Sequence, residues 1–225
     1  MAFCNRVKVG TMKRAWIGIC RRLSLTFAVF TLGLLLSASA AHRPQQPGGP
    51  TIAKELALNV DPGQSTVHWV LGSTLHTVHG TFSLKRGTLE LNPESGKASG
   101  EIVVDAASGE SGNTSRDKRM HKEILESQRY TEVVFRPDRA DGSIPAQGSS
   151  TLQLHGIFFL HGAQHELTIP VQAELADGRW KGTAKFSVPY IQWGLKNPSN
   201  FFLKVDPNVE VELALTGGVQ TPGPQ

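Results

Sequence analysis

The sequence predicts an all-β fold, an antiparallel β-barrel of about eight strands with one short α-helix inserted at about residues 114–127. After residue 53, apolar residues recur at every second position along most of the chain, which is the period of strands with one buried face. Only the segment 114–127 (TSRDKRMHKEILES) has helical spacing, in which Met120, Ile124 and Leu125 form an apolar stripe. Closure into a barrel is favoured because it leaves no exposed sheet edge.

The first forty residues have the pattern of a secretory signal peptide. A basic region precedes the apolar run 23–36, and the small residues 37–40 (SASA) follow it. The run is shorter than the roughly twenty residues that a membrane-spanning helix needs. We therefore expect cleavage after Ala40 and a periplasmic or secreted mature protein. An uncut membrane anchor is the alternative to cleavage. Met12 is the alternative to Met1 as the start of the protein.

Removal of residues 1–40 changes the charge of the chain. The full sequence has 23 basic and 19 acidic residues, and six of the basic residues but none of the acidic ones precede position 41. The mature chain would therefore carry a net charge of about −2, which argues against a nucleic-acid partner.

Both cysteines, Cys4 and Cys20, lie in the predicted signal peptide, residues 1–40. The mature protein would then have no disulfide, cysteine nucleophile or thiolate metal site.

Composition divides the remaining chain into three parts. Residues 41–53 are rich in Pro, Gly and Gln and predict a flexible linker. Residues 54–216 carry the strand pattern and are long enough to form one domain with its own core. Residues 217–225 are predicted to be a disordered tail.

The inserted helix is locally specified but too short to be stable alone. Thr114 and Asp117 have the spacing of a capping box, and Arg119 and Glu123 are spaced for a helical ion pair. The apolar stripe must therefore pack on another element, for which we expect the mouth of the barrel.

Histidines are the candidates for catalysis or metal binding. All eight follow residue 41, and a zinc site formed by His155, His161 or His165 is geometrically conceivable. Strand-end and turn histidines in contact with water are the simpler interpretation. The sequence contains no Gly-x-Ser-x-Gly elbow, phosphate-binding glycine loop or dinucleotide fingerprint. We predict no catalytic residue and no metal ligand.

A set of short motifs in a fixed order carries a family resemblance. In chain order they are Ser65-x-Val67-x-Trp69, Val78-x-Gly80-x-Phe82, Arg116-Asp117-x-x-Met120, Val134-Phe135, Leu160-His161-Gly162 and Trp193-Gly194. Over residues 54–216 this set resembles the YceI-like family of secreted bacterial proteins, which have an extended lipocalin-like antiparallel barrel. The chain departs from the family in one place: many members have a histidine near the position of Ser73.

The resemblance implies an apolar tunnel that holds a long isoprenoid chain, such as a polyisoprenoid quinone, without any required cofactor. Alternation alone leaves open whether a small barrel is filled by its own side chains or holds one ligand. With the resemblance, the expected lining is Val67, Trp69, Phe82, Leu84, Phe158 and Phe186. We predict a non-catalytic binding protein with an apolar lipid partner, acting near a membrane, either as a monomer or as a homodimer. A metal-binding protein or metal-dependent enzyme, and a packed barrel that serves as an interaction module, are the alternatives.

Overall fold

A computed structural model describes residues 55–145 and 147–220 of the protein. The predicted signal peptide (1–40) and linker (41–53) lie outside the described residues, together with residues 54, 146 and 221–225. No helix in the described part of the chain is long and apolar enough to cross a membrane.

The described residues form one closed antiparallel sheet. Its strands are β1 (Leu56–Val60), β2 (Thr66–Leu71), β3 (Val78–Leu91), β4 (Ala98–Glu110), β5 (Glu132–Gly142), β6 (Gly148–Leu160), β7 (Ala163–Ala176), β8 (Arg179–Val188) and β9 (Val209–Gln220). The order around the ring is β3-β2-β9-β8-β7-β6-β5-β4, and pairing of β3 with β4 closes it.

Nine strands fill eight positions in the ring because β1 and β2 share one. Both pair with β3 on one side and β9 on the other: β2 with the start of each strand, and β1 with the end. A 3-10 turn, Pro62–Gln64, separates them, and the Asp61 side chain accepts a hydrogen bond from the Gly63 N–H at its start. The prediction of an antiparallel barrel of about eight strands is confirmed.

Tight turns set the register that places the apolar rows inside. His161 and Gly162 join β6 to β7, and Asp177 and Gly178 join β7 to β8; all four residues have positive φ angles, between 51° and 78°. Two such residues are what a two-residue type I′ hairpin requires. The resulting β6–β7 ladder extends without a register shift from Gly148 to Leu160. Alternate residues of β6 from Leu152 to Leu160 are consequently buried.

The helix is shorter than predicted and begins with a different cap. Helix α1 spans Thr114–Arg119 and continues as a π-helical turn, Met120–Ile124. The cap is Asn113, whose side-chain oxygen accepts a hydrogen bond from the Arg116 N–H at 3.0 Å. The predicted capping box at Thr114 is therefore wrong by one residue, because Thr114 is already inside the helix. Asp117 instead accepts from the backbone N–H of Ser111 at 3.0 Å.

The last strand extends past the predicted end of the domain. β9 continues to Gln220, and residues 217–220 pair with β1. The first four residues of the segment 217–225 are thus part of the barrel wall, while residues 221–225 lie outside the described residues.

Candidate ligand-binding cavity

The barrel encloses a cavity of about 530 Å³. This volume lies within the range of about 300–1,000 Å³ that is usual for small-molecule sites. The strands line it only with apolar side chains: Val67, Trp69, Leu71, Val78, Phe82, Ile102, Val104, Val133, Phe135, Phe158, Leu160, Ile169, Phe186, Val188, Val209, Val211 and Leu213.

Five of the six residues predicted to line the cavity do so. They are Val67, Trp69, Phe82, Phe158 and Phe186. Their aromatic rings form two clusters: Trp69 and Phe82 have centroids 6.5 Å apart, and Phe158 meets Phe186 edge-on at 6.4 Å. The sixth residue, Leu84, is buried in the core cluster but does not contact the cavity.

Gly80 makes room for the largest aromatic side chain of the lining. The indole of Trp69 lies over Gly80, and a Cβ atom on residue 80 would lie 2.2 Å from Cε2 of Trp69. The same Cβ would lie 2.3 Å from the carbonyl oxygen of Glu110. The absence of a side chain at residue 80 therefore leaves the space that the indole of Trp69 occupies.

All polar lining groups lie at one end of the barrel. The connections 72–77, 111–131, 161–162 and 189–208 follow the ends of β2, β4, β6 and β8, so antiparallel pairing brings them to the same end, which we call the rim. The polar lining residues, all in these connections, are Ser73, His76, Ser115, Arg116, Arg119 and Tyr190. The cavity is thus apolar along the strands and polar at the rim.

Residues 189–208, which we call the cover loop, pack onto the cavity. Tyr190 and Leu195 are each only 5% exposed and line it. The Tyr190 hydroxyl donates to the Asp206 carbonyl oxygen at 2.9 Å, and burial raises the pKa of Tyr190 to about 12. Trp193 lies with its ring centroid 5.6 Å from that of Phe158. Tyr190 and Leu195 are not predictable as lining residues from the sequence, because the cover loop has no alternating pattern.

An ion pair joins the cover loop to the helix. Lys196 Nζ lies 3.0 Å from Glu123 Oε2, and Arg119 Nε lies 3.4 Å from the same oxygen. The hydrogen bond from Lys196, and secondarily that from Arg119, lowers the pKa of Glu123. The predicted Arg119–Glu123 pair is therefore formed, and it also holds one side of the mouth together.

Arg116 anchors the helix to the end of β4. Its Nε donates to Ser111 Oγ at 2.7 Å, and its Nη2 donates to the Ser111 carbonyl oxygen at 2.9 Å. Arg116 also lines the cavity, together with Met120, Ile124 and Leu125 from the predicted apolar stripe. The stripe packs at the barrel mouth, as the sequence predicts.

The connection 72–77 completes the mouth beside the cover loop. Ser73 forms an isolated β-bridge with Val205, and the Thr74 N–H donates to the Lys204 carbonyl oxygen at 2.9 Å. The Ser73 hydroxyl donates to the carbonyl oxygen of His76 at 2.6 Å. Ser73 and His76 consequently supply the polar surface at this part of the mouth.

The candidate metal histidines do not converge. His155 Nδ1 lies 2.7 Å from Asp138 Oδ1, whereas the His161 ring lies beside Tyr130 with centroids 4.3 Å apart. His165 stacks on Trp193 instead. Among the residues that the structure describes, no group of three or more His, Cys, Asp or Glu side chains could hold a metal ion.

Comparisons with known proteins agree with this architecture. A family model of the YceI-like domain matches residues 58–217. The fold is similar to that of BcnA from Burkholderia cenocepacia, at 16% identity and a TM-score of 0.57, covering 70% of this chain and 99% of that one. It is also similar to a polyisoprenoid binding domain from Saccharophagus degradans implicated in plant cell wall breakdown, at 15% identity and a TM-score of 0.54, covering 74% and 99% respectively. No curated protein matches the chain.

Proposed function

Because the chain belongs to the YceI-like family, we propose that it is a non-catalytic binding protein that holds an apolar isoprenoid lipid or quinone inside its barrel. The observation that carries the proposal is the distribution of polarity in the cavity, which is apolar along the strands that line it and polar at the rim. The polyisoprenoid-binding domain of Saccharophagus degradans, which has the same fold, supports the same class of ligand.

The free energy of binding comes from the burial of hydrocarbon. Removal of apolar surface from water contributes roughly 25 cal/mol per Å², and a prenyl chain along these walls would meet side chains such as Phe158, Phe186 and Ile102. The strands place no charged group in its path, so no ion has to lose its hydration when the ligand enters.

The ligand would bind with its chain inside and its polar end at the rim. A quinone or phosphate head can accept hydrogen bonds there from the His76 ring or the Arg116 guanidinium, which line the mouth. The reverse orientation would bury the head among apolar side chains without hydrogen-bond partners, which costs several kcal/mol.

No catalytic step is part of this proposal. The Arg116 guanidinium is engaged with Ser111, and the Tyr190 hydroxyl with Asp206. These contacts hold the helix and the cover loop in place. The apolar walls bring no acid or base to a bound chain.

We place the mature protein in the periplasm or outside the cell, close to a membrane. The signal-peptide pattern of residues 1–40 supports export. A prenyl lipid is stored in membranes, so a carrier or store for it would exchange its ligand there. The proposal holds for a monomer and for a homodimer, because each barrel encloses its own cavity.

Identification of the bound lipid tests the proposal. The protein is purified from its native host without detergent and extracted into organic solvent, and the extract is analysed by mass spectrometry. We expect a prenyl lipid or prenyl quinone in near-stoichiometric amount. An extract without prenyl lipid, from protein whose cavity is empty in a crystal structure, would contradict the proposal.

A further inference from the structure

The exposed large apolar side chains of the described residues are all at the rim. They are Leu75, Phe201 and Phe202, which are 72%, 89% and 85% exposed. Leu75 belongs to the connection 72–77, and the two phenylalanines belong to the cover loop, both of which also line the cavity mouth. We call these three residues the rim patch. Apolar side chains gathered at one exposed place usually mark an interaction surface.

Hydrogen bonds shape the turn that carries the two phenylalanines of the rim patch. The Asn200 side chain accepts hydrogen bonds from the N–H groups of Phe202 at 2.9 Å and Leu203 at 2.8 Å. The Asn200 N–H in turn donates to the Leu203 carbonyl oxygen at 2.8 Å. This turn presents Phe201 and Phe202 to solvent with their rings edge-to-face, 5.2 Å between centroids.

The turn is also tied to the neighbouring loop. Bonds between Thr74 and Lys204 run in both directions: the Thr74 N–H donates to the Lys204 carbonyl oxygen at 2.9 Å, and the Lys204 N–H donates to the Thr74 hydroxyl at 3.3 Å. Leu75 and the two phenylalanines are thereby carried on two loops that are bonded to each other.

Charge is distributed unevenly between the rim patch's surroundings and the rest of the barrel. The four rim connections hold seven basic residues against four acidic ones; these are Arg116, Lys118, Arg119, Lys122, Arg129, Lys196 and Lys204 against Asp117, Glu123, Glu126 and Asp206. The rest of residues 55–220 holds eight basic and fifteen acidic residues. The end of the barrel that carries the patch is therefore basic, while the remainder is acidic.

From these observations we propose that the rim patch docks on the surface of an anionic lipid bilayer, with the cavity mouth facing the membrane. This inference rests on the proposed function in one respect, that the cavity takes its ligand from lipid. Aromatic side chains next to lysines favour the interface between the hydrocarbon core and the headgroups of a bilayer. Basic groups near the surface add attraction to anionic lipids.

The basic residues around the rim patch favour an anionic bilayer as its partner. Two phenylalanines and a leucine offer on the order of 500 Å² of apolar surface to it. Reversible insertion of a few side chains between lipids needs no matching surface. It would bring the mouth, with Ser73 and His76, to the level of the headgroups.

Flotation of the purified protein with lipid vesicles tests the docking. With vesicles of phosphatidylethanolamine and phosphatidylglycerol, we expect the F201S/F202S double variant to bind at least about tenfold more weakly than the wild type. Lys204→Glu should weaken binding roughly fivefold or more. Lys181→Glu, a matched charge reversal at an exposed position on the strand β8, should bind like the wild type. Vesicles of phosphatidylcholine alone, or added salt, should reduce binding of the wild type.

The outcomes separate docking from ligand binding. Phe158→Glu alters the cavity and should still bind vesicles. F201S/F202S leaves the cavity lining intact and should keep its co-purified ligand.

Equal vesicle binding by the wild type and F201S/F202S would overturn the docking proposal. Loss of self-association in that variant, with unchanged vesicle binding, would overturn it too and identify the patch as a contact between copies. Vesicle binding that depends on the patch in protein without any prenyl ligand would support docking and contradict only the proposed function.

Discussion

The indole of Trp193 stacks on the imidazole of His165, with ring centroids 4.1 Å apart and planes inclined by only 4°. His165 belongs to β7 and Trp193 to the cover loop, so the stack joins the loop to the barrel wall. The same indole lies 5.6 Å from Phe158 in the cavity. The stack is therefore one of the contacts that hold the cover loop over the cavity.

We predict that Trp193→Ala loosens the cover over the cavity. Loss of the stack and of the contact with Phe158 should lower the free energy of unfolding by about 2 kcal/mol, because Trp193 is partly buried against the core. Ligand release should also become faster. Denaturant unfolding and the dissociation rate of a fluorescent prenyl probe measure the two effects. Phe202→Ala removes an exposed ring from the same loop and should change neither quantity.

The same contact predicts how stability depends on pH. Burial lowers the pKa of His165 below its ordinary value of 6.5. The unfolded chain therefore binds a proton at this residue at a higher pH than the folded protein does. Its contribution to stability is complete above about pH 6.5 and is lost as the pH falls from there to the folded pKa.

Denaturant midpoints measured at several pH values test this dependence. His165→Phe keeps a ring against Trp193 and should show a smaller loss of stability below pH 6.5 than the wild type. His68→Phe, at an exposed position on β2, should keep the wild-type dependence. An identical pH profile for His165→Phe and the wild type would contradict the assignment of this pH dependence to His165.

Gly80 should not tolerate a side chain. We expect Gly80→Ala to lower the free energy of unfolding by about 1–3 kcal/mol, because its Cβ would overlap the indole of Trp69 and the Glu110 carbonyl oxygen. Lipid loading should fall as well, since Trp69 lines the cavity. Gly218→Ala is the matched control: a Cβ there would meet nothing within 4 Å. Equal thermal stability of the two variants would show that Trp69 packs elsewhere.

The helix cap gives a prediction that separates two neighbouring residues. Asn113→Ala should lower the free energy of unfolding by about 1 kcal/mol, because it removes the acceptor for the Arg116 N–H. Thr114→Ala should be close to neutral, since alanine is favourable inside a helix. Urea unfolding of the two variants measures the difference. A larger loss of unfolding free energy for Thr114→Ala than for Asn113→Ala would indicate that Thr114, and not Asn113, caps the helix.

The barrel could be predicted from the sequence because alternation is a direct consequence of strands with one buried face. β6 illustrates this: Leu154, Phe158 and Leu160 are buried where the pattern places them. β5 lacks so clear a signal, because Pro137 and five charged residues leave it few apolar positions. Its pairing with β6 also contains a register shift between Pro137 and Arg139.

The site could be predicted where the strands and the apolar stripe of the helical segment form it. Phe82 and Phe186 lie on inward rows and line the cavity, but inward position alone did not distinguish them from Leu84, which packs in the core. Tyr190 and Leu195 come from the cover loop, whose course depends on distant contacts such as the one with His165. No local pattern encodes those contacts.

Native mass spectrometry of the intact protein from its natural host tests whether a lipid is bound inside the barrel. The wild type should carry the added mass of one prenyl lipid or quinone. Phe159→Glu should carry it too, because Phe159 points outward beside Arg136. Phe158→Glu, folded by circular dichroism, should carry none because it places a carboxylate on the apolar wall. A wild type without prenyl mass, or a Phe158→Glu variant loaded as fully as Phe159→Glu, would contradict binding inside the barrel.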